Sequence, residues 1–122
     1  MTITLYHNPN CSKSRAALAL LTEQACTFDI RNYLEDPLDD TELEALLLLL
    51  GIEPIELLRQ KEDLLSQLAI DPLVLSHQQL VKLMADYPTL IERPIVADNI
   101  QAVIGRPTER IARLLTARPE FR

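Results

Sequence analysis

The 122-residue chain has no tryptophan, and its aromatic residues together make up only 4% of it. A core must therefore be built mainly from leucine, isoleucine, valine and alanine. It has two cysteines, Cys11 and Cys26, too few for the disulfide framework of a small secreted domain. It also lacks a long apolar run. The longest, "ALLLLLGI" at 45–52, falls well short of the roughly 20 residues a membrane helix needs. The opening "MTITLYHNPN" has neither the basic start nor the apolar stretch of a secretory leader, so a reducing, cytoplasmic compartment is expected. No internal repeat, linker or low-complexity segment is evident.

A positive balance is missing too. The net charge is -6, and it is uneven. Residues 1–88 carry 6 basic against 14 acidic residues, a net of -8, whereas 89–122 carry 6 arginines against 4 acids, a net of +2. The acidic whole argues against non-specific nucleic-acid binding. The arginines of the tail can still build a local anion site. What is present in quantity is apolar character, 48% of the chain, which argues against disorder. A chain of this length makes one domain, 1–122, and buries roughly two thirds of its unfolded surface.

Hydrophobic period gives the order of elements. "TITLYH" reads as a strand, "NPN" as a turn, "SKSRAALALLTEQA" as a helix and "CTFDIRNYL" as a second strand, a βαβ unit with parallel strands. A helical middle follows, with Gly51 stopping the leucine-rich helix, two or three helical pieces over 53–88, and Ser76 capping the last. "LIERPIVAD" and "IQAVIGR" then read as a hairpin turning at Asp98–Asn99, and "PTERIARLLTA" as a final helix with Pro107 in its first turn. This order, βαβ, helices, ββα, suits an α/β fold of the thioredoxin-like (glutaredoxin-like) kind. It would have a mixed four-stranded sheet, with a helical insertion at about 38–88 between the halves.

Within "HNPNCSKSR", Cys11 falls where the first strand gives way to the helix. Free backbone N–H groups and the positive helix end favour thiolate over thiol and also attract an oxyanion. Ser14 can hydrogen-bond the thiolate, and Lys13 and Arg15 add positive charge. Such a site suits nucleophilic attack on an oxyanion. The alternative is a buried apolar filler, against which the polar flanks speak. A helix of 14 residues between Cys11 and Cys26 would span about 20 Å, whereas a disulfide needs Cα atoms within about 7 Å. Cys26 thus reads as a core residue, and any electron donor for Cys11 must come from outside. Position 14 is Ser, so a Cys-x-x-Cys dithiol is excluded. Position 17 is Ala, so the Cys-dependent phosphatase spacing is absent. Only His7 lies near Cys11, and His77 is isolated, which leaves no metal-ligand cluster.

Taken together, "HNPNCSKSR", "ELLRQKED", "LIERPIV" and "IGRP" resemble the glutathione/glutaredoxin-dependent arsenate reductase family, in its short bacterial branch. The resemblance runs from Ile3 to about Leu115. It implies a thioredoxin-like fold with a helical insertion and an oxidoreductase that reduces arsenate to arsenite. Cys11 would be the nucleophile, and Arg59, Arg93 and Arg106 would hold the oxyanion, since guanidinium forks suit its oxygens. His7, Ser14 and Arg15 would support the cysteine, and Pro94 would follow a cis peptide bond. The resemblance implies no bound cofactor. It implies arsenate or a similar oxyanion as substrate, glutathione as co-substrate and glutaredoxin as partner, with no nucleic acid or membrane.

Other readings stand beside these. Arg59 lies in a charged run and can also be read as an exposed helix residue. His7 can be a plain surface residue, and Arg110, Arg113 and Arg118 read as solvated. Ser12–Lys13 replaces the Gly-Thr pair of strong arsenate reductases, which bears on the substrate more than on the chemistry. Two rivals remain: an Spx-type redox-responsive regulator that binds RNA polymerase, and a glutathione-linked reductase of mixed disulfides.

Overall fold

Alternating apolar residues in "ITLY" make the first strand, β1 (Ile3–Tyr6), which buries Ile3 and Leu5 on one face. The computed structural model of the chain describes residues 2–24 and 26–117. After β1 come α1 (Ser12–Glu23) and β2 (Phe28–Arg31), and β2 pairs with β1 in parallel, Leu5 opposite Ile30. Near the other end of the chain, β3 (Ile95–Ala97) and β4 (Ala102–Ile104) form an antiparallel hairpin. β3 also pairs antiparallel with β1. The sheet order is β2-β1-β3-β4, the mixed four-stranded, thioredoxin-like sheet expected. The last helix is α6 (Glu109–Thr116).

These elements form one compact unit with the other described residues of 1–36 and 93–122. Its core joins Ile3, Leu5 and Val96 of the sheet to Ala17 and Leu21 of α1 and to Ile111, Leu114 and Leu115 of α6. The helical faces follow from spacing: 17 and 21, and 111, 114 and 115, lie one turn apart. Burying one such leucine contributes about 1.5–3 kcal/mol. Cys26 packs partly buried against this core, with its Sγ donating to Leu21 O at 3.4 Å.

Residues 37–92 form the second unit. Its first helix, α2 (Asp40–Leu50), opens with a reciprocal capping box between Asp39 and Glu42. It ends at Gly51, whose φ of 68° suits a residue without Cβ. Short helices α3 (Pro54–Leu57) and α4 (Asp63–Gln67) follow, then a 3-10 turn at Pro72–Val74. Then comes α5 (His77–Asp86), capped by Ser76 as expected. α5 packs against both α2 and α3. Of the leucine run 46–50, Leu46 and Leu47 are buried, but Leu48 is 83% exposed.

Several boundaries differ from the sequence reading, including the start of the hairpin's first strand, which falls at Ile95 and not at Leu90. The second strand keeps only 28–31 of the stretch 26–34. The stretch 53–70 breaks between Leu57 and Asp63, because Leu58 forms a β-bridge with Ile91. Pro107 is not in the first turn of α6: the chain is still leaving β4 there, with the Arg106 N–H bonded to Ile104 O, and the helix starts after Thr108.

Candidate active site

β1 carries the chain to His7, whose N–H donates to Arg31 O across the parallel pair. The chain then turns. Asn10 N–H donates to Asn8 Oδ1, and Cys11 N–H donates to Asn8 O at 3.0 Å. Cys11 is the N-cap of α1, with extended backbone, and its carbonyl accepts the first helical bond from Arg15 N–H. The first N–H groups of the helix have no helical partner, and the Cys11 side chain lies at that end. Burial pushes the Cys11 thiol up. The N–H groups of Ser14 and Lys13, and then the charge and hydrogen bonding of Arg93, more than offset this, and the thiol lies below its ordinary value.

Ser14 is fully buried. Its Oγ accepts from Asn8 N–H at 3.0 Å and pairs with His7 Nδ1 at 2.6 Å. The Ser14 hydroxyl bonds within the loop, and its backbone N–H favours the Cys11 thiolate. His7 is likewise not a surface residue but buried, and it bears on Cys11 through Ser14. Burial first, and the charge of Arg15 second, hold the His7 imidazole below the usual histidine range, so it is neutral at pH 7. Arg15 is exposed, and its Nη1 donates to Pro9 O at 2.8 Å, tying the front of the loop to the helix.

The pairings gather further residues at one end of the sheet. Tyr6 lies opposite Ile95 and Ile95 opposite Ile104, so β3 begins and β4 ends beside the loop that follows β1. Arg93 and Pro94 precede β3; Gly105 and Arg106 follow β4. The Arg93–Pro94 peptide is cis, as expected, and so is Arg106–Pro107. Arg93 is half-buried beside Cys11, and its buried Nε makes no hydrogen bond among the described residues. Arg106 is exposed. Gly105 N–H donates to Pro94 O, and a Cβ on Gly105 would stand 3.2 Å from the Pro94 ring. Sequence reasoning gave Gly105 no role. Its signal was present in "IGRP", but the ring it meets is eleven residues away.

Arg59 belongs to the second unit. Its guanidinium lies 3.1 Å from the Glu62 carboxylate and 3.7 Å from that of Glu92, and Nη1 donates to Thr89 O. It follows α3 in an irregular turn, so the reading as an exposed helix residue does not hold. Of the arginines read as solvated, Arg110 and Arg113 are exposed and Arg118 lies outside the described residues. Among the described residues no group of three or more His, Cys, Asp or Glu side chains could hold a metal ion. None of their helices is long and apolar enough to cross a membrane.

Comparison with known proteins adds an independent line. The model of the ArsC family matches residues 6–114. An arsenate reductase of Neisseria meningitidis is 42% identical over 114 residues, covering 93% of this chain and 97% of that one. An uncharacterized Escherichia coli protein, YfgD, is 45% identical over 93% of this chain and 96% of its own. The solved structure of an arsenate reductase from Vibrio cholerae superposes with a TM-score of 0.87 at 43% identity, over 93% of this chain and 97% of that one.

Proposed function

The chain belongs to the ArsC family, and from that premise we propose that it is a cytoplasmic oxidoreductase that reduces arsenate to arsenite with glutathione and glutaredoxin. The observation that carries the reading is the state of Cys11: a thiol at a helix start, held below its ordinary value by two backbone N–H groups and by Arg93. A thiolate is the nucleophile that arsenic(V) chemistry requires.

In the proposed sequence, Cys11 Sγ attacks arsenic and one arsenate oxygen leaves as water, giving a Cys11–S–As(V) adduct. Glutathione then attacks the arsenic and a second oxygen leaves as water, giving a Cys11–S–As(V)–S–glutathione adduct. The glutaredoxin thiolate attacks the glutathione sulfur and breaks its bond to arsenic, so two thiols end as one mixed disulfide and the electron pair of the broken bond stays on arsenic. The two electrons they release take arsenic from +5 to +3. Hydrolysis of the Cys11–S–As(III) bond returns the thiol and frees arsenite. Arg93 beside the thiol and Arg106 at the same end of the sheet are the proposed oxyanion ligands, able to stabilise charge as sulfur attacks. Arg59 joins them on resemblance alone. His7, Ser14, Arg15 and Pro94 support the loop and are not given a chemical step. A dithiol switch has no second sulfur here, because position 14 is a buried serine.

The test is NADPH consumption coupled through glutathione reductase, glutathione and glutaredoxin, with and without arsenate. Arsenate-dependent turnover that disappears in Cys11→Ser is expected. No turnover in a protein whose Cys11 still titrates low would remove arsenate as substrate and turn attention to mixed disulfides.

A further inference from the structure

Arg59 is held between two carboxylates by the backbone itself. Its N–H donates to Leu90 O at 2.7 Å, and the N–H of Glu92 donates to Leu57 O at 2.9 Å; these bonds bracket the bridge between Leu58 and Ile91. The pairing sets Arg59 beside Glu92. Glu62 arrives from the other direction, through a turn closed by its own N–H on Arg59 O. Each carboxylate lies within 4 Å of the guanidinium, and the three side chains are only 25%, 29% and 32% exposed. Pairs this sheltered are screened less by salt than surface pairs. Two carboxylates on one guanidinium leave a cluster with a net negative charge.

We propose that Glu62 and Glu92 set the affinity of Arg59 for an oxyanion, acting as internal competitors for its donors. The proposal rests on the reading of Arg59 as an oxyanion ligand. An incoming anion uses the same N–H groups that the two carboxylates face, and it carries the same sign of charge as they do. It therefore binds Arg59 only by displacing a carboxylate or by sharing the guanidinium with both. The clamp weakens anion binding, and it weakens binding of a dianion more than of a monoanion. Glu62 and Glu92 are thus specificity-determining residues.

The experiment is titration calorimetry with arsenate on the full chain carrying Cys11→Ser, which binds without reacting. Glu62→Gln, Glu92→Gln, the double variant and Arg59→Gln are compared on that background. The double variant is expected to bind arsenate about threefold or more tightly than its parent, with each single variant between. With Cys11 restored, the KM for arsenate should fall in the same order. Unchanged or weaker binding in the double variant and in both singles overturns the proposal. The Arg59→Gln arm separates the two layers. If it weakens binding while the double variant changes nothing, Arg59 is a ligand and the clamp is not a competitor. If it leaves binding unchanged, the reading of Arg59 as a ligand fails, and the proposal with it. No binding by the parent or by any variant removes both.

Discussion

His7 and Ser14, seven residues apart in the chain, meet in the interior with Nδ1 and Oγ 2.6 Å apart. The contact joins the end of β1 to the first turn of α1, and Ser14 adds Asn8 N–H to it. The serine hydroxyl thus shapes the cysteine loop without touching the sulfur.

Replacing that hydroxyl should cost stability and reactivity together. Ser14→Ala leaves the Asn8 N–H and His7 Nδ1 without their partner, a loss of about 1–3 kcal/mol. Urea unfolding measures the first effect. Slower alkylation of Cys11 at neutral pH measures the second, as the Ser14 N–H loses its fixed aim.

The thiol should titrate early, and Arg93 should share responsibility for it. In a Cys26→Ser background, the pH profile of iodoacetamide alkylation is expected to have its midpoint below that of the urea-unfolded chain. Arg93→Gln should move the midpoint upward, because a charge and a donor that favour the thiolate are both lost. A profile that does not move would remove Arg93 from the tuning of Cys11.

Acid should weaken the fold through His7. Its folded pKa lies below the unfolded value of about 6.5. The unfolded chain therefore takes up the proton first. The stability contributed by neutral His7 is complete above about pH 6.5 and is lost as the pH falls towards the folded pKa. Unfolding free energies at a series of pH values from 7.5 to 5 should fall towards the acid end, and fall less in His7→Gln.

Gly105→Ala should be costly although both residues are small. The added Cβ would stand 2.6 Å from Cδ1 of Ile111, which is fully buried, and 3.2 Å from Pro94. Overpacking of this kind costs about 1–3 kcal/mol. A lowered Tm is expected, together with a change in Cys11 alkylation, since Pro94 adjoins Arg93.

The parts of the fold that rest on local pattern could be read from the residues. The βαβ order, the stop at Gly51, the cap at Ser76 and the hairpin around Asp98–Asn99 each depend on a few neighbouring positions. Cys11 at the helix start belongs with them, because turn chemistry and the onset of helical period mark it directly. The rest depends on pairings that sequence distance hides. Nothing in "ELLRQKED" announces that Leu58 will bridge to Ile91, so the break of the helix there could not be read. Arg59 and Glu62 are three residues apart and could have been paired, but Glu92 comes from the far side of that bridge. For Ser14, a serine three positions after the cysteine can reach either the sulfur or the loop behind it, and nothing in the local pattern shows that its hydroxyl meets His7 and Asn8.

The loop from His7 to Arg15 is tied together by its own hydrogen bonds: Asn8 holds Asn10 and Cys11, Ser14 holds His7 and Asn8, and Arg15 holds Pro9. Its shape is therefore preorganised. The entropy of ordering these residues is lost once, when the chain folds, and not again in each catalytic cycle. Variation in rate among chains that keep this loop should accordingly trace to groups that meet the anion, while damage to the loop should be visible in unfolding experiments before any substrate is added.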